Sequence, residues 1–378
     1  MIIKHLQLRN YRNYENLDIS LSEGLNIFVG NNAQGKSNIL ESIYVLGLTK
    51  SYINVKEQYL IKNEENFAVI KASCFNRNIE NNLEVIITEN ERKLKVNGIE
   101  FRKYSDYIEK MKVLIFSPYN VNFVKDGPSE RRKSINVVIS QLSTKYVKLL
   151  QNYNAVLKKR NQFLKSINCS NDNEYNRFYF DILNERFCSL AVDIMLERIN
   201  FLEIINKFLA NIYFEITGYE NLVLKYIMTV EKTNSRDVLL NCFKSKLNSI
   251  FEREKFTGMT LIGPHRDDFL FLLDNKELSI YGSQGQIRAA ILALKLSEVL
   301  IFKEETGDYP ILLLDDIFSE LDIEKRNKLL KYILDDVQTI ITTTDINLID
   351  KSLVEKSKVF VVDDGKIIND GKKECKDE

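Results

Sequence analysis

Gly30-Asn31-Asn32-Ala33-Gln34-Gly35-Lys36-Ser37 decides how this chain is read. It fits G-x-x-x-x-G-K-[ST], the phosphate-binding P-loop, in which backbone N–H groups and a helix N-terminus face phosphate oxygens. Its flanks agree with the pattern. Leu25-Asn26-Ile27-Phe28-Val29 reads as a buried strand before it. Ile39, Leu40, Ile43 and Leu46 then fall on one apolar face of a helix. Gly30 and Gly35 supply backbone angles that a Cβ would forbid. Lys36 is expected to reach the β- and γ-phosphates of ATP, and the Ser37 hydroxyl to take one position on Mg²⁺. Asn31, Asn32, Ala33 and Gln34 complete the expected cradle.

Working outward, residues 1–29 predict three strands. The turn between the first two, Asn10-Tyr11-Arg12-Asn13-Tyr14, is either a polar connection or a nucleotide contact through Arg12 or Asn13. Residues 67–117 predict strands in succession, with Asn97-Gly98 as a hairpin turn, and so an antiparallel sheet beside the nucleotide core. From residue 126 to 255 the pattern is helical, with an interruption at 168–173 and a strand at 222–230. Two basic runs lie there, Arg131-Arg132-Lys133 and Lys158-Lys159-Arg160. Such runs serve either as DNA-backbone contacts or as solvated helix faces.

After residue 256 the α/β character returns. Gly263-Pro264-His265-Arg266-Asp267-Asp268 forms a charged turn in which His265 is either a ligand contact or a hydrogen-bonded anchor of the turn. Ser283-Gln284-Gly285-Gln286 opens a helix, a geometry shared by anion sites and ordinary caps. Ile311-Leu312-Leu313-Leu314-Asp315-Asp316 is a buried strand ending in carboxylates, the Walker B pattern. Asp315 is expected to hold Mg²⁺ through water, and Asp316 to orient or deprotonate the attacking water. The strand at 339–342 is expected to be the last of the core, followed by a closing hairpin at 359–368 and a charged tail.

Bulk properties set limits. Of the 378 residues, 44% are hydrophobic and 28% charged, and the formal net charge is zero, so any basic surface must be local. Five widely spaced cysteines and two histidines argue against disulfide scaffolds and zinc sites and for a reducing compartment. No stretch approaches the roughly 20 apolar residues of a membrane span. A cytoplasmic location is expected.

The ordered set of P-loop, Ser283 motif, Asp315 strand and Ser319-Glu320-Leu321-Asp322 resembles the ABC-type ATPase heads. Within them the chain is similar, nearly end to end, to the bacterial RecF family of recombinational repair proteins. Leu8 to Tyr14, Phe116-Ser117-Pro118, Gln141-Leu142-Ser143 and the Gly263 turn carry that likeness. The resemblance implies an α/β head, with a mixed sheet and an antiparallel β subdomain. Its expected parts are residues 1–125 and 256–378, interrupted by a helical arm at 126–255. It implies ATP-dependent homodimerisation, with Ser283, Gly285, Gln286 and Asp322 added to the nucleotide contacts, and Arg12 and Asn13 favoured among them. It implies slow ATP hydrolysis, binding to gapped or junction DNA through Arg131, Arg132, Lys133, Lys159 and Arg160, and work with RecO and RecR to load recombinase. The chain departs from the family pattern at Ser51-Tyr52-Ile53, where RecF-like chains usually show Ser-His-Arg, at Asn136 in place of an acid and at Ile287 in place of a polar residue, and none of these is expected to touch the ATP chemistry.

Overall fold

The computed structural model describes residues 1–53, 55–76, 79–118, 122–167, 174–319, 325–326, 328 and 336–369. The chain forms two compact units. One joins Met1–Asn122 to Ile291–Glu378, and the other is Phe123–Ala290.

The first unit contains two sheets of six strands each. Strands β1 (Ile2–Tyr11), β2 (Tyr14–Ser20), β4 (Phe67–Asn76), β5 (Ile79–Thr88), β6 (Arg92–Val96) and β7 (Ile99–Glu100) build an antiparallel sheet in the order β2-β1-β4-β5-β6-β7. Asn97 and Gly98 both take positive φ, 51° and 80°, so the Asn-Gly pair supplies the left-handed turn that matches strand twist.

The second sheet carries the site. It runs β15-β14-β3-β13-β12-β8, from β3 (Leu25–Val29), β8 (Val113–Phe116), β12 (Ile311–Asp315), β13 (Thr339–Thr343), β14 (Lys358–Asp363) and β15 (Lys366–Asn369). The strands from β14 to β8 are parallel, and only β15 is antiparallel. Buried parallel strands have no wet face, which is why β12 is apolar up to its closing Asp315 and β3 is apolar apart from the hydrogen-bonded Asn26. The 339–342 strand is therefore not the last of the core. The expected closing hairpin contributes β14 directly beside β3, pairing Phe360 with Phe28, and the two rings stack 4.6 Å apart.

Helix α1 (Lys36–Leu48) contacts β4 and β5 of one sheet and β8, β12 and β13 of the other. Its residues Ile39, Leu40, Ile43, Val45 and Leu46 are fully buried. Each such side chain contributes about 1.5–3 kcal/mol of transfer free energy. The helix is thereby fixed between the sheets, and its N-terminus is fixed with it.

In the other unit α2 (Pro128–Leu142), α3 (Thr144–Ile167), α4 (Glu174–Thr217), α5 (Arg236–Ser249) and α6 (Phe251–Thr257) accompany a small antiparallel sheet, β11-β10-β9. Strand β9 (Leu222–Ile227) pairs with β10 (Asp268–Leu273) from Asp268–Ile227 to Leu273–Leu222, and β11 (Lys276–Glu277) closes the edge. This pairing draws residues 256–290 into the helical unit, so its boundary falls at residue 290 and not at 255. Helix α7 (Gln284–Thr306) starts in this unit and runs on into the other. Among the described residues no helix is long and apolar enough to cross a membrane.

Candidate functional site

Parallel register aligns the C-terminal ends of three strands. Val29 pairs with Thr343, and Thr342 with Asp315. The P-loop leaves β3 and the acidic pair leaves β12 at one sheet edge, where open α/β sheets bind ligands. Ser37 Oγ donates to Asp315 Oδ1 at 2.7 Å. Residues 278 positions apart in sequence thus form one oxygen-donor set. Hydroxyl and carboxylate oxygens are the hard ligands that Mg²⁺ takes alongside water and phosphate, so the residues present fit that ion.

The loop geometry depends on its glycines. Gly35 precedes α1 with φ 105°, and a Cβ there would lie 2.5 Å from Asn13 Nδ2. A Cβ on Gly30 would lie 2.2 Å from the Val362 carbonyl oxygen of β14. Lys36 Nζ donates to the carbonyls of Gly30 and Asn31, at 2.7 and 2.6 Å. Its ammonium is thus held across the loop. Burial lowers its pKa, and Asp316 and Asp315 act in the opposite direction. Asn31, Asn32 and Ala33 are exposed at the loop tip. Gln34 is held from behind, its carbonyl accepting from Gly365 N at 3.0 Å and its side chain from Asp364 N.

Arg12 and Asn13 lie next to this loop but are engaged with protein. Asn13 Nδ2 donates to the Gln34 carbonyl at 3.2 Å, and its Oδ1 accepts from Asn38 at 2.8 Å. Arg12 makes a two-pronged pair with Glu41 of α1, at 2.8 and 2.7 Å, and donates to the Tyr59 carbonyl. The Glu41 side chain is fully buried and also accepts from Tyr11 and Ser51.

Asp316 adopts φ 49°, and its N–H donates to the Thr342 carbonyl and hydroxyl at 3.2 and 3.0 Å. Ser319 Oγ donates back to the Asp316 carbonyl. Asp322 lies outside the described residues, as do the 168–173 interruption and the charged tail.

Sequence reasoning missed Tyr52, whose hydroxyl donates to Asp315 Oδ2 at 2.7 Å. The departure from the usual family residue was its only signal.

In the helical unit the Ser283 segment is exposed. Ser283 N donates to Gln286 Oε1 at 2.8 Å, and Gln286 N donates to Ser283 Oγ at 3.2 Å. This reciprocal capping box leaves Gly285 exposed in the first turn of α7.

The basic runs divide. Arg160 has no exposed surface and donates to Glu254 (2.6 Å), Thr260 (2.7 Å) and Asn184 (2.8 Å), with Phe180 and Phe187 rings beside its guanidinium. Arg131 pairs with both Asp268 oxygens, at 2.8 and 2.6 Å, and with the Asp126 carbonyl. These two expected DNA contacts are corrected: both guanidiniums are buried and spent on protein acceptors. Arg132 donates to the Asp267 carbonyl at 2.6 Å and is only half-buried, while Lys133, Lys158 and Lys159 are exposed.

His265 anchors its turn. The Thr260 carbonyl can only accept, so His265 Nε2 carries the proton, and Nδ1 accepts from Tyr153 OH at 2.6 Å. Burial lowers its pKa to about 4.

Comparison with known proteins agrees with this architecture. The family described as RecF/RecN/SMC N-terminal domain matches residues 2–368. The DNA replication and repair protein RecF of Lysinibacillus sphaericus is 39% identical over 373 residues, 97% of this chain and 99% of that protein. RecF of Geobacillus sp. (strain WCH70) is 38% identical over 370 residues, 97% of this chain and 98% of its own length. The chain belongs to the RecF family. A solved structure described as the recombination mediator protein RecF with ATP in the RecFOR pathway shares 31% identity and superposes with a TM-score of 0.89. It covers 97% of this chain and 96% of its own. An Smc head domain from Pyrococcus furiosus shares only the fold, at 17% identity and a TM-score of 0.53, with 97% and 94% coverage. The RecF family is one of DNA replication, repair and recombination, and the head of this chain has the ABC/SMC-type architecture.

Proposed function

We propose that this RecF-family chain is an ATP-gated DNA-binding protein of recombinational repair. The observation that carries the reading is the Ser37–Asp315 hydrogen bond between P-loop and Walker B strand. It unites both halves of the magnesium and phosphate machinery in a chain whose near-full-length structural relative is described with ATP.

ATP phosphates are bound by the N–H groups of Gly30–Ser37 and the N-terminus of α1. Lys36, now held on two loop carbonyls, turns its ammonium to the β- and γ-phosphates. Ser37 and Asp315 would hold Mg²⁺, which when bound would neutralise charge on those phosphates. Asp316 orients the attacking water. One methylene shorter than Glu, it fits a slow ATPase used as a timer. No other chemistry is assigned.

Ser283, Gly285 and Gln286 of one subunit cap the nucleotide on the P-loop of its partner. A two-fold dimer with two shared sites results. ATP stabilises the dimer on gapped or single-strand/double-strand junction DNA, and hydrolysis releases it. Arg132, Lys133 and Lys159 meet DNA phosphate. The dimer works in the cytoplasm with RecO- and RecR-type mediators to load recombinase, supporting replication restart and SOS induction.

The test is sedimentation with and without ATP and Mg²⁺, on the full chain and on Lys36→Met. A dimer that needs both ATP and Lys36, and that binds gapped DNA more tightly than the monomer, is expected. A monomer under every condition would remove the dimer mechanism.

A further inference from the structure

We propose that Tyr52 is a positioning residue for the magnesium site, its phenol fixing the plane of the Asp315 carboxylate. The inference rests on the proposed Mg·ATP reading and deepens it.

Three hydroxyls converge on Asp315. Ser37 Oγ and Thr342 Oγ1 donate to Oδ1 at 2.7 and 2.8 Å, and Tyr52 OH donates to Oδ2 at 2.7 Å. The torsion that turns a carboxylate about its last bond is soft and broad. Donors on a single oxygen leave that rotation open. A donor on the second oxygen closes it.

A hydroxyl has one O–H and two lone pairs, so Ser37 can give a lone pair to Mg²⁺ and still donate to Asp315 Oδ1. Ser37 and Thr342 thus hold one oxygen throughout, and Tyr52 is the one of these three hydroxyls that holds the other. Two carboxylate oxygens offer about four lone-pair sites, so one would stay open on Oδ2 beside these three donors.

The surroundings of Tyr52 suit this task. Its ring meets Tyr44 of α1 edge-on, with centroids 5.5 Å apart and planes at 80°. Ser51 Oγ donates to Glu41, and Ile53 N donates to Ser51 Oγ at 3.0 Å. Glu41 in turn is clamped by Arg12 and Tyr11. The ring is therefore packed against the P-loop helix at Tyr44, and the chain beside it is tied through Ser51 to Glu41 of the same helix. A half-buried phenol donating to a carboxylate makes a short, charge-assisted bond.

The experiment titrates Mg²⁺ against binding of a fluorescent ATP analogue to the full chain, with parallel binding in EDTA and with Mn²⁺ followed by electron paramagnetic resonance. Wild type, Tyr52→Phe and Tyr52→His are compared. Tyr52→Phe is expected to raise the Mg²⁺ and Mn²⁺ midpoints about tenfold, equal to about 1.4 kcal/mol. Its nucleotide affinity in EDTA is expected to stay at the wild-type value, which a general loss of packing would not allow. Tyr52→His retains a ring N–H and is expected to remain within about threefold of wild type. A Tyr52→Phe midpoint within about twofold of wild type, or below it, would overturn the proposal. So would a His variant no better than Phe. If Mg²⁺ fails to tighten nucleotide binding in the wild-type chain, the Mg·ATP reading itself falls, an outcome distinct from failure of the Tyr52 assignment.

Discussion

Replacing Arg160 by Met separates a structural arginine from a DNA-binding one. The Arg160 and Glu254 side chains are both 0% exposed and 2.6 Å apart. The Met variant keeps most of the apolar stem between Phe180 and Phe187 but strands the Glu254 carboxylate, leaving it only the Leu261 N–H at 2.8 Å. Breaking one side of a buried pair costs about 3–5 kcal/mol, because an uncompensated charge remains. For a unit of this size that is a fall of roughly 6–20 °C in melting temperature. Differential scanning calorimetry of the full chain, with limited proteolysis to localise the loss, measures it. Arg160→Met combined with Glu254→Leu removes both charges and is expected to recover most of the stability, since apolar replacement of a buried pair is near neutral. The neighbour Lys159→Met is expected to leave the melting temperature within about 1 °C, because its side chain faces water. An Arg160→Met protein that melts like wild type and loses DNA affinity would refute the assignment of Arg160 to the interior.

Lys159→Gln and Lys133→Gln are each expected to weaken gapped-DNA binding uniformly across sequences and to lower the slope of log affinity against log salt by about one. Fluorescence anisotropy over a salt series checks this, and an unchanged slope for both would remove these lysines from the interface. Gly30→Ala places a Cβ against the Val362 carbonyl oxygen. An overpacking cost of about 1–3 kcal/mol is expected in urea unfolding, together with loss of nucleotide binding. His265 has its folded pKa depressed by burial to about 4, so the unfolded chain takes up the proton first. Its contribution is fully present above about pH 6.5 and is lost as pH falls toward 4, about 2 kcal/mol of it between pH 6.5 and 5. Urea unfolding of wild type and His265→Gln over that range should differ by this slope, and parallel curves would contradict it.

The strand–loop–helix of the P-loop and the acidic end of β12 were legible because each is a local pattern: apolar run, special backbone, charged terminus. What was not legible depends on partners far along the chain. Lys159 and Arg160 are consecutive and both basic, yet one faces water and the other meets Glu254 and Thr260 about a hundred positions away. Residues 256–290 have α/β character, as the nucleotide core does, but β10 pairs with β9 and so joins the helical unit. The hairpin near residue 362 has an ordinary signature, and nothing in it specifies that β14 lies beside β3. Tyr52 carries no motif, and its role depends on a carboxylate 263 residues later. Asn13 was legible as a neighbour of the loop, but its hold on the Gln34 carbonyl belongs to tertiary packing.

The pairing of β14 with β3 and the bond from Gly365 to Gln34 have a consequence for biogenesis. The phosphate loop leaves the ribosome long before the strand that seals its back. Non-local pairings of this kind are slow to form. A nascent chain that stops short of residue 358 therefore carries the complete P-loop motif without its supporting edge. Such a chain should neither retain nucleotide nor join a dimer. Synthesis of the hairpin is then the step that completes the support of the phosphate loop.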